Sequence, residues 1–85
     1  MTIQAEVSLY PLRTEHLNPA LERFLTGLED HAVGMTRGPM STHISGGTAE
    51  VFSALADAFS GVAEEYQAVL VLKLSNACPV EPEVS

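Results

Sequence analysis

The chain has 85 residues, 46% of them apolar and 18% charged, with 11 acids against 4 bases for a net charge of −7. That length allows one domain with one core, and the apolar content excludes a disordered chain. The acidic balance excludes a general nucleic-acid binder, which needs clustered Lys and Arg to neutralise phosphates, and disfavours docking on an anionic membrane.

Thr2 to Tyr10 alternates, with Ile3, Ala5, Val7 and Leu9 on one face and Gln4, Glu6, Ser8 and Tyr10 on the other. That is the period of a strand covered on one side, and Pro11 is expected to end it. A helix follows, with Asn18 as its N-cap and Pro19 in the first helical position. Leu21, Phe24, Leu25 and Leu28 recur at helical spacing, with Glu22, Arg23 and Glu29 outside. His31 falls in the last turn, and Gly34 is the expected C-terminal cap.

Gly38-Pro39 marks a turn between a brief strand near Met35–Gly38 and a second near Met40–Ser45. In the second, Met40, Thr42 and Ile44 alternate with Ser41, His43 and Ser45. Gly46-Gly47 is expected to end it and Thr48 to cap another helix, whose buried stripe is Val51, Phe52, Leu55, Phe59 and Val62. Gly61 weakens this helix by about 1 kcal/mol relative to alanine unless close packing requires it. Ala68 to Leu74 is a strand apolar on both faces, which predicts burial beyond what one helical layer provides. The domain is expected to span residues 1–80, with residues 81–85 as a flexible tail.

The order β-α-β-β-α-β predicts an α+β, ferredoxin-like fold. Right-handed crossovers place both helices on one face of a four-stranded antiparallel sheet, in strand order 4-1-3-2. The helix-covered face takes Ala5, Val7, Leu9, Met40, Ile44, Leu70, Leu72 and Leu74. The open face carries Glu6, Ser8, Tyr10, Ser41, His43 and Ser45, flanked by Val69, Val71, Lys73 and Ser75. Val69 and Val71 do not suit a plain solvent face. This face is therefore expected to pair with another copy of the chain, and a small molecule is a second use for it.

Several side chains have two readings. Glu6 either accepts a cationic or amino-bearing ligand or pairs with Lys73 across the sheet. Tyr10 either stacks on a ring or cation or packs at an interface. Asn76 offers a donor and an acceptor to a heteroaromatic edge, or simply turns the chain after the last strand. Ser45-Gly46-Gly47-Thr48 precedes a helix as a phosphate cradle would, but it lacks the lysine of a Walker loop and reads better as a turn and cap. His43 has no second His or Cys at ligand spacing, and no CxxC, HxxxH or HExxH pattern occurs, so no metal is expected. Cys78 has no adjacent His and acid to make it a nucleophile, and no catalytic residue is assigned. No run reaches the about 18 apolar residues of a bilayer span, and no signal segment opens the chain. With Cys78 the single cysteine, these features predict a cytoplasmic location.

Three stretches carry a family resemblance: Ala5-Glu6-Val7-Ser8-Leu9-Tyr10-Pro11-Leu12, Gly38-Pro39-Met40-Ser41-Thr42-His43-Ile44-Ser45-Gly46 and Lys73-Leu74-Ser75-Asn76-Ala77-Cys78-Pro79. In order and spacing they resemble the small thiamine-binding, YkoF-like family over roughly residues 3–80. The resemblance implies a ferredoxin-like domain that forms dimers or tetramers through its sheets. It also implies binding of thiamine or its hydroxymethylpyrimidine part without catalysis, as a carrier, sensor or salvage component, and no other cofactor. Some members carry two such domains, so a second copy here would come from another subunit. Many have an acidic residue where this chain has Ser45.

An aminopyrimidine needs donors to its ring nitrogens and an acceptor for its amino group. Glu6, Ser8, Ser41, Thr42 and Asn76 can supply them, and Glu6 and Tyr10 suit the positive thiazolium. Strand parity aims Thr42 at the helices, so it serves a site only if that site lies between the layers or the strand is bulged. The alternative is a structural or regulatory homo-oligomer with no small-molecule ligand.

Overall fold

Alternation of apolar and polar residues from Thr2 onward gives the sheet one of its two central strands. The computed structural model describes residues 2–39 and 41–77. Strand β1 runs Thr2–Leu12, helix α1 Leu17–Glu29, strand β2 Gly34–Arg37, strand β3 Thr42–Gly47, helix α2 Thr48–Ala63 and strand β4 Gln67–Ser75. The sheet is antiparallel throughout, in the order β2-β3-β1-β4. This is the expected ferredoxin-like α+β arrangement. Met40, Cys78, Pro79 and the tail at 81–85 lie outside the described residues. Among the described residues no helix is long and apolar enough to cross a membrane.

Ile3, Ala5, Val7 and Leu9 are buried as the period-two pattern requires. Cross-strand partners share a face, so Ala5 opposite Ile44 and Leu74, and Val7 opposite Thr42 and Leu72, build one apolar layer. Phe24 and Leu28 from α1 and Val51, Leu55 and Val62 from α2 close on it.

Several boundaries differ from expectation, each for a local reason. β1 continues through Pro11 to Leu12. Pairing with β3 stops at Val7, so Pro11 lies where β1 is paired only with β4, and a missing N–H there is tolerated. α1 begins at Leu17 with His16 as its N-cap and no side-chain cap. Asn18 and Pro19 instead occupy the first turn, where N–H groups have no intrahelical partner. The helix ends at Glu29 with Asp30 as C-cap, so His31 lies beyond it and Gly34 opens β2. Gly46 and Gly47 belong to β3, and Gly47, not Thr48, caps α2.

The buried face of α2 is Val51, Ala54, Leu55, Ala58 and Val62, while Phe52 is 50% exposed and Phe59 only partly buried. At about 100° per residue Phe52 sits on the flank of that face. The helix is rotated toward α1 instead, where Arg23 meets Glu64 and Glu65 at 3.3 and 2.8 Å and His31 meets Asp57 at 2.8 Å. The tight point is Gly27, where an added Cβ would lie 2.8 Å from the Ala58 Cα. Gly61 has no such role, since a Cβ there would meet only the Arg23 Nε at an ordinary 3.6 Å. Leu72 and Leu74 face the helical layer by register, yet remain 39% and 38% exposed because the helices do not reach over the β4 edge.

The two glycines therefore respond oppositely to the same change. Gly27→Ala forces the helices apart and should lower the unfolding free energy by about 1–3 kcal/mol. Gly61→Ala removes a helix-weakening residue from open space and should raise it by roughly 0.5–1 kcal/mol. Urea denaturation of both variants measures the contrast.

Candidate functional site

β1 is paired unequally on its two sides. Its ladder with β4 runs from Gln4–Ser75 to Leu12–Gln67, but its ladder with β3 ends at Val7–Thr42. Beyond Val7 one side of β1 is open, and the turn between β2 and β3 stands over the gap. That turn is closed by the Gly38 N–H donating to the Ser41 carbonyl at 2.8 Å. The first half of α1 covers the gap from the helical side. The result is a cavity of about 280 Å³.

Val7, Leu9, Leu21, Phe24 and Leu25 form its apolar wall, and Ser8, Ser41 and Thr42 also line it. Because the cavity lies where the sheet loses a strand, both faces contribute to it. Ser8 reaches it from the open face. Thr42 reaches it from the helix-covered face, where it is 9% exposed and the one buried polar side chain among the described residues. The parity that aims Thr42 at the helices thus aims it into an interlayer site. Arg37 and Glu22 stand on the same cavity. The Arg37 guanidinium donates to the Glu22 carboxylate at 3.4 and 3.5 Å.

Glu6 sits beside this cavity. It pairs in register with His43 on β3 and Lys73 on β4, so the three form a row across the open face. The Ser41 hydroxyl donates to Glu6 Oε2 at 2.8 Å. His43 Nε2 lies 3.7 Å from the same oxygen, and Lys73 Nζ lies 4.0 Å from Oε1. The Ser41 hydrogen bond, then the charges of Lys73 and His43, hold the Glu6 carboxyl below its ordinary range against an opposing desolvation effect. Ser41 therefore touches the cavity and the Glu6 row together. Around that row Gln4, Glu6, His43, Lys73 and Ser75 line a hollow of about 300 Å³. It is a depression on the open sheet face, whereas the interlayer cavity has walls from β1, α1 and the β2–β3 turn.

The other candidates lie apart. Tyr10 is on the open face opposite Val69, past Ser8 and outside the cavity lining. Ser45 pairs with Gln4 and Gly34 and lines a different hollow with Met35 and Thr36. Ser45 lies three residues along β3 from Thr42, which separates it from the cavity by about 10 Å. Asn76 follows Ser75, the partner of Gln4, at that same far end. The sequence marks Asn18 only as a cap and Glu22 only as an outward helix position, and gives Arg37 no role. Asn18, Leu21, Glu22 and Leu25 do share one helix face by their i, i+3, i+4, i+7 spacing, but that spacing does not tell what the face meets. Among the described residues no group of three or more His, Cys, Asp or Glu is placed to hold a metal.

A model of the YKOF-related family matches residues 2–81. A hypothetical protein of Methanocaldococcus jannascii shares the fold with a TM-score of 0.83 at 22% identity, covering 94% of this chain and 84% of that one. A Streptococcus pneumoniae protein superposes with a TM-score of 0.84 at 18% identity over 94% of this chain and 90% of its own. A candidate thiamine biosynthesis/salvage protein of Thermotoga maritima gives 0.78 at 14% identity over 87% and 82% of the two chains. Identities this low establish the common fold alone. No curated protein matches the sequence.

The Ser41–Glu6 bond has a titration signature. Carboxyl NMR should place the Glu6 midpoint below the ordinary glutamate range, and Ser41→Ala should move it upward. Since the folded value is the depressed one, the stabilisation that Glu6 contributes is present at neutral pH. It is lost as the pH falls through that folded value. A wild-type midpoint at or above the ordinary range would contradict the geometry.

Proposed function

The chain belongs to the YKOF-related family, and from that membership we propose that it binds thiamine, or its hydroxymethylpyrimidine part, without transforming it. The observation that carries this reading is a cavity walled by Leu21, Phe24 and Leu25 that the polar residues Ser8, Ser41 and Thr42 also line. A flat heteroaromatic ring gains from burial against such a wall. Hydroxyls both donate and accept, so they serve ring nitrogens and an exocyclic amino group alike.

The cavity, about 280 Å³, is at the small end of ligand pockets, so one ring enters and the remainder sits at the mouth. A net charge of −7 favours the approach of a thiazolium cation. The Thermotoga maritima neighbour, a candidate thiamine salvage protein, supports the ligand class. A cytoplasmic carrier, sensor or salvage role accords with binding of this kind.

A second reading concerns assembly. Tyr10, Val69 and Val71 are large exposed apolar side chains on the open face of the sheet. A patch of this kind favours association, and sheet-to-sheet pairing of two copies would cover it. Dimers or tetramers then form whether or not a ligand binds, and the structural role is the alternative function.

Isothermal titration with thiamine and with hydroxymethylpyrimidine tests the binding. Thr42→Val keeps the volume of a buried residue and removes only its hydroxyl, so affinity should fall about fivefold, the worth of one hydrogen bond. Absence of heat with both compounds at millimolar concentration would rule the reading out. Sedimentation tests the assembly: wild type should exceed the monomer mass, and Val71→Asp should dissociate it by placing an unpaired charge in a dry contact.

A further inference from the structure

The chain has 4 Lys and Arg residues in all, and their placement is informative. Arg13 bonds Gln67, Arg23 ties α1 to Glu64 and Glu65, and Lys73 faces Glu6. Arg37 is the one that lines the interlayer cavity. Its partner there, Glu22, is held loosely, through contacts of 3.4 and 3.5 Å between side chains that remain 49% and 61% exposed. An ion pair so long and so wet contributes little to stability and is readily exchanged. Thr42, 9% exposed, marks the inner end of the cavity, and the Arg37–Glu22 pair marks its rim.

We infer that Arg37 and Glu22 form a rim that selects a phosphomonoester of the cationic heterocycle over the unphosphorylated compound. The inference rests on the binding reading above. With a ring seated against Thr42 and Leu21, any charged tail of the ligand lies at the rim, because the cavity is too small to enclose it. A plain cation placed there satisfies Glu22 but leaves Arg37 beside a like charge. A cation that carries a phosphate satisfies both. The guanidinium fork takes two phosphate oxygens in short, charge-assisted bonds, and the released Glu22 carboxylate faces the positive ring. The overall negative charge of the protein opposes a phosphate at long range. At physiological ionic strength that effect is screened beyond about 8 Å, so the contact with Arg37 decides.

The test is calorimetric titration of the full chain with thiamine and with thiamine monophosphate, in wild type, Arg37→Gln and Glu22→Gln. Both substitutions are at half-exposed positions, and thermal melts check that the fold persists. Wild type should bind the monophosphate about tenfold more tightly, as expected for a hydrogen bond between charged groups. In Arg37→Gln the ratio of the two affinities should fall to near one. In Glu22→Gln the preference for the phosphate should persist while thiamine itself binds more weakly. Equal affinities in wild type, or a ratio that Arg37→Gln leaves unchanged, would overturn the rim while leaving thiamine binding intact. Failure of both compounds to bind would overturn the binding reading and the rim together.

Discussion

The feature on which the rest depends is the unequal pairing of β1. One edge of this strand is bonded along its length to β4, whereas the other is bonded to β3 only as far as Val7. Backbone groups on a paired edge are satisfied by the ladder. Where the ladder stops, the sheet opens and room appears between it and α1. The cavity, the convergence of residues from both sheet faces and the tolerance of Pro11 all follow from this one ending. Had β3 continued, Ser8 and Thr42 would have remained on opposite sides of a closed sheet.

Around this opening the core is assembled with little excess. β1 supplies Ile3, Ala5, Val7 and Leu9, and the helices meet it with Phe24, Leu28, Val51, Leu55 and Val62. Close approach of the helices at Gly27 and Ala58 draws α2 toward α1. That rotation buries Ala54 and Ala58 and leaves Phe52 at the surface. It also leaves the β4 edge uncovered, so Leu72 and Leu74 are partly exposed on one face while Val69 and Val71 are exposed on the other. A strand apolar on both faces is thus only half covered within the chain.

Charge is distributed with similar economy. In a chain with 11 acids and 4 bases, Glu6 lies in a row with His43 and Lys73 on the open face and accepts a hydrogen bond from Ser41. Arg37 meets Glu22 at 3.4 Å on the rim of the cavity. Ser41 joins the two regions, since it lines the cavity and bonds Glu6.

The sequence by itself determined the architecture. Period-two alternation in β1 and 3.6-residue periodicity in the helices are local signals, and the order of six elements admits few topologies. It also picked out Ser8, Ser41 and Thr42, though it could not bring them together. Tertiary structure alone decided that, because a cavity is set by where a ladder ends and by which helix face lies over it. Neither is encoded in any local spacing. The same reason explains Arg37 and Glu22, 15 residues apart in the chain. Each reads as an ordinary solvated charge until the β2–β3 turn and α1 are folded against one another. Tyr10, Ser45 and Asn76 lie farther along or beyond the strands and do not line that cavity, which no local spacing reveals either.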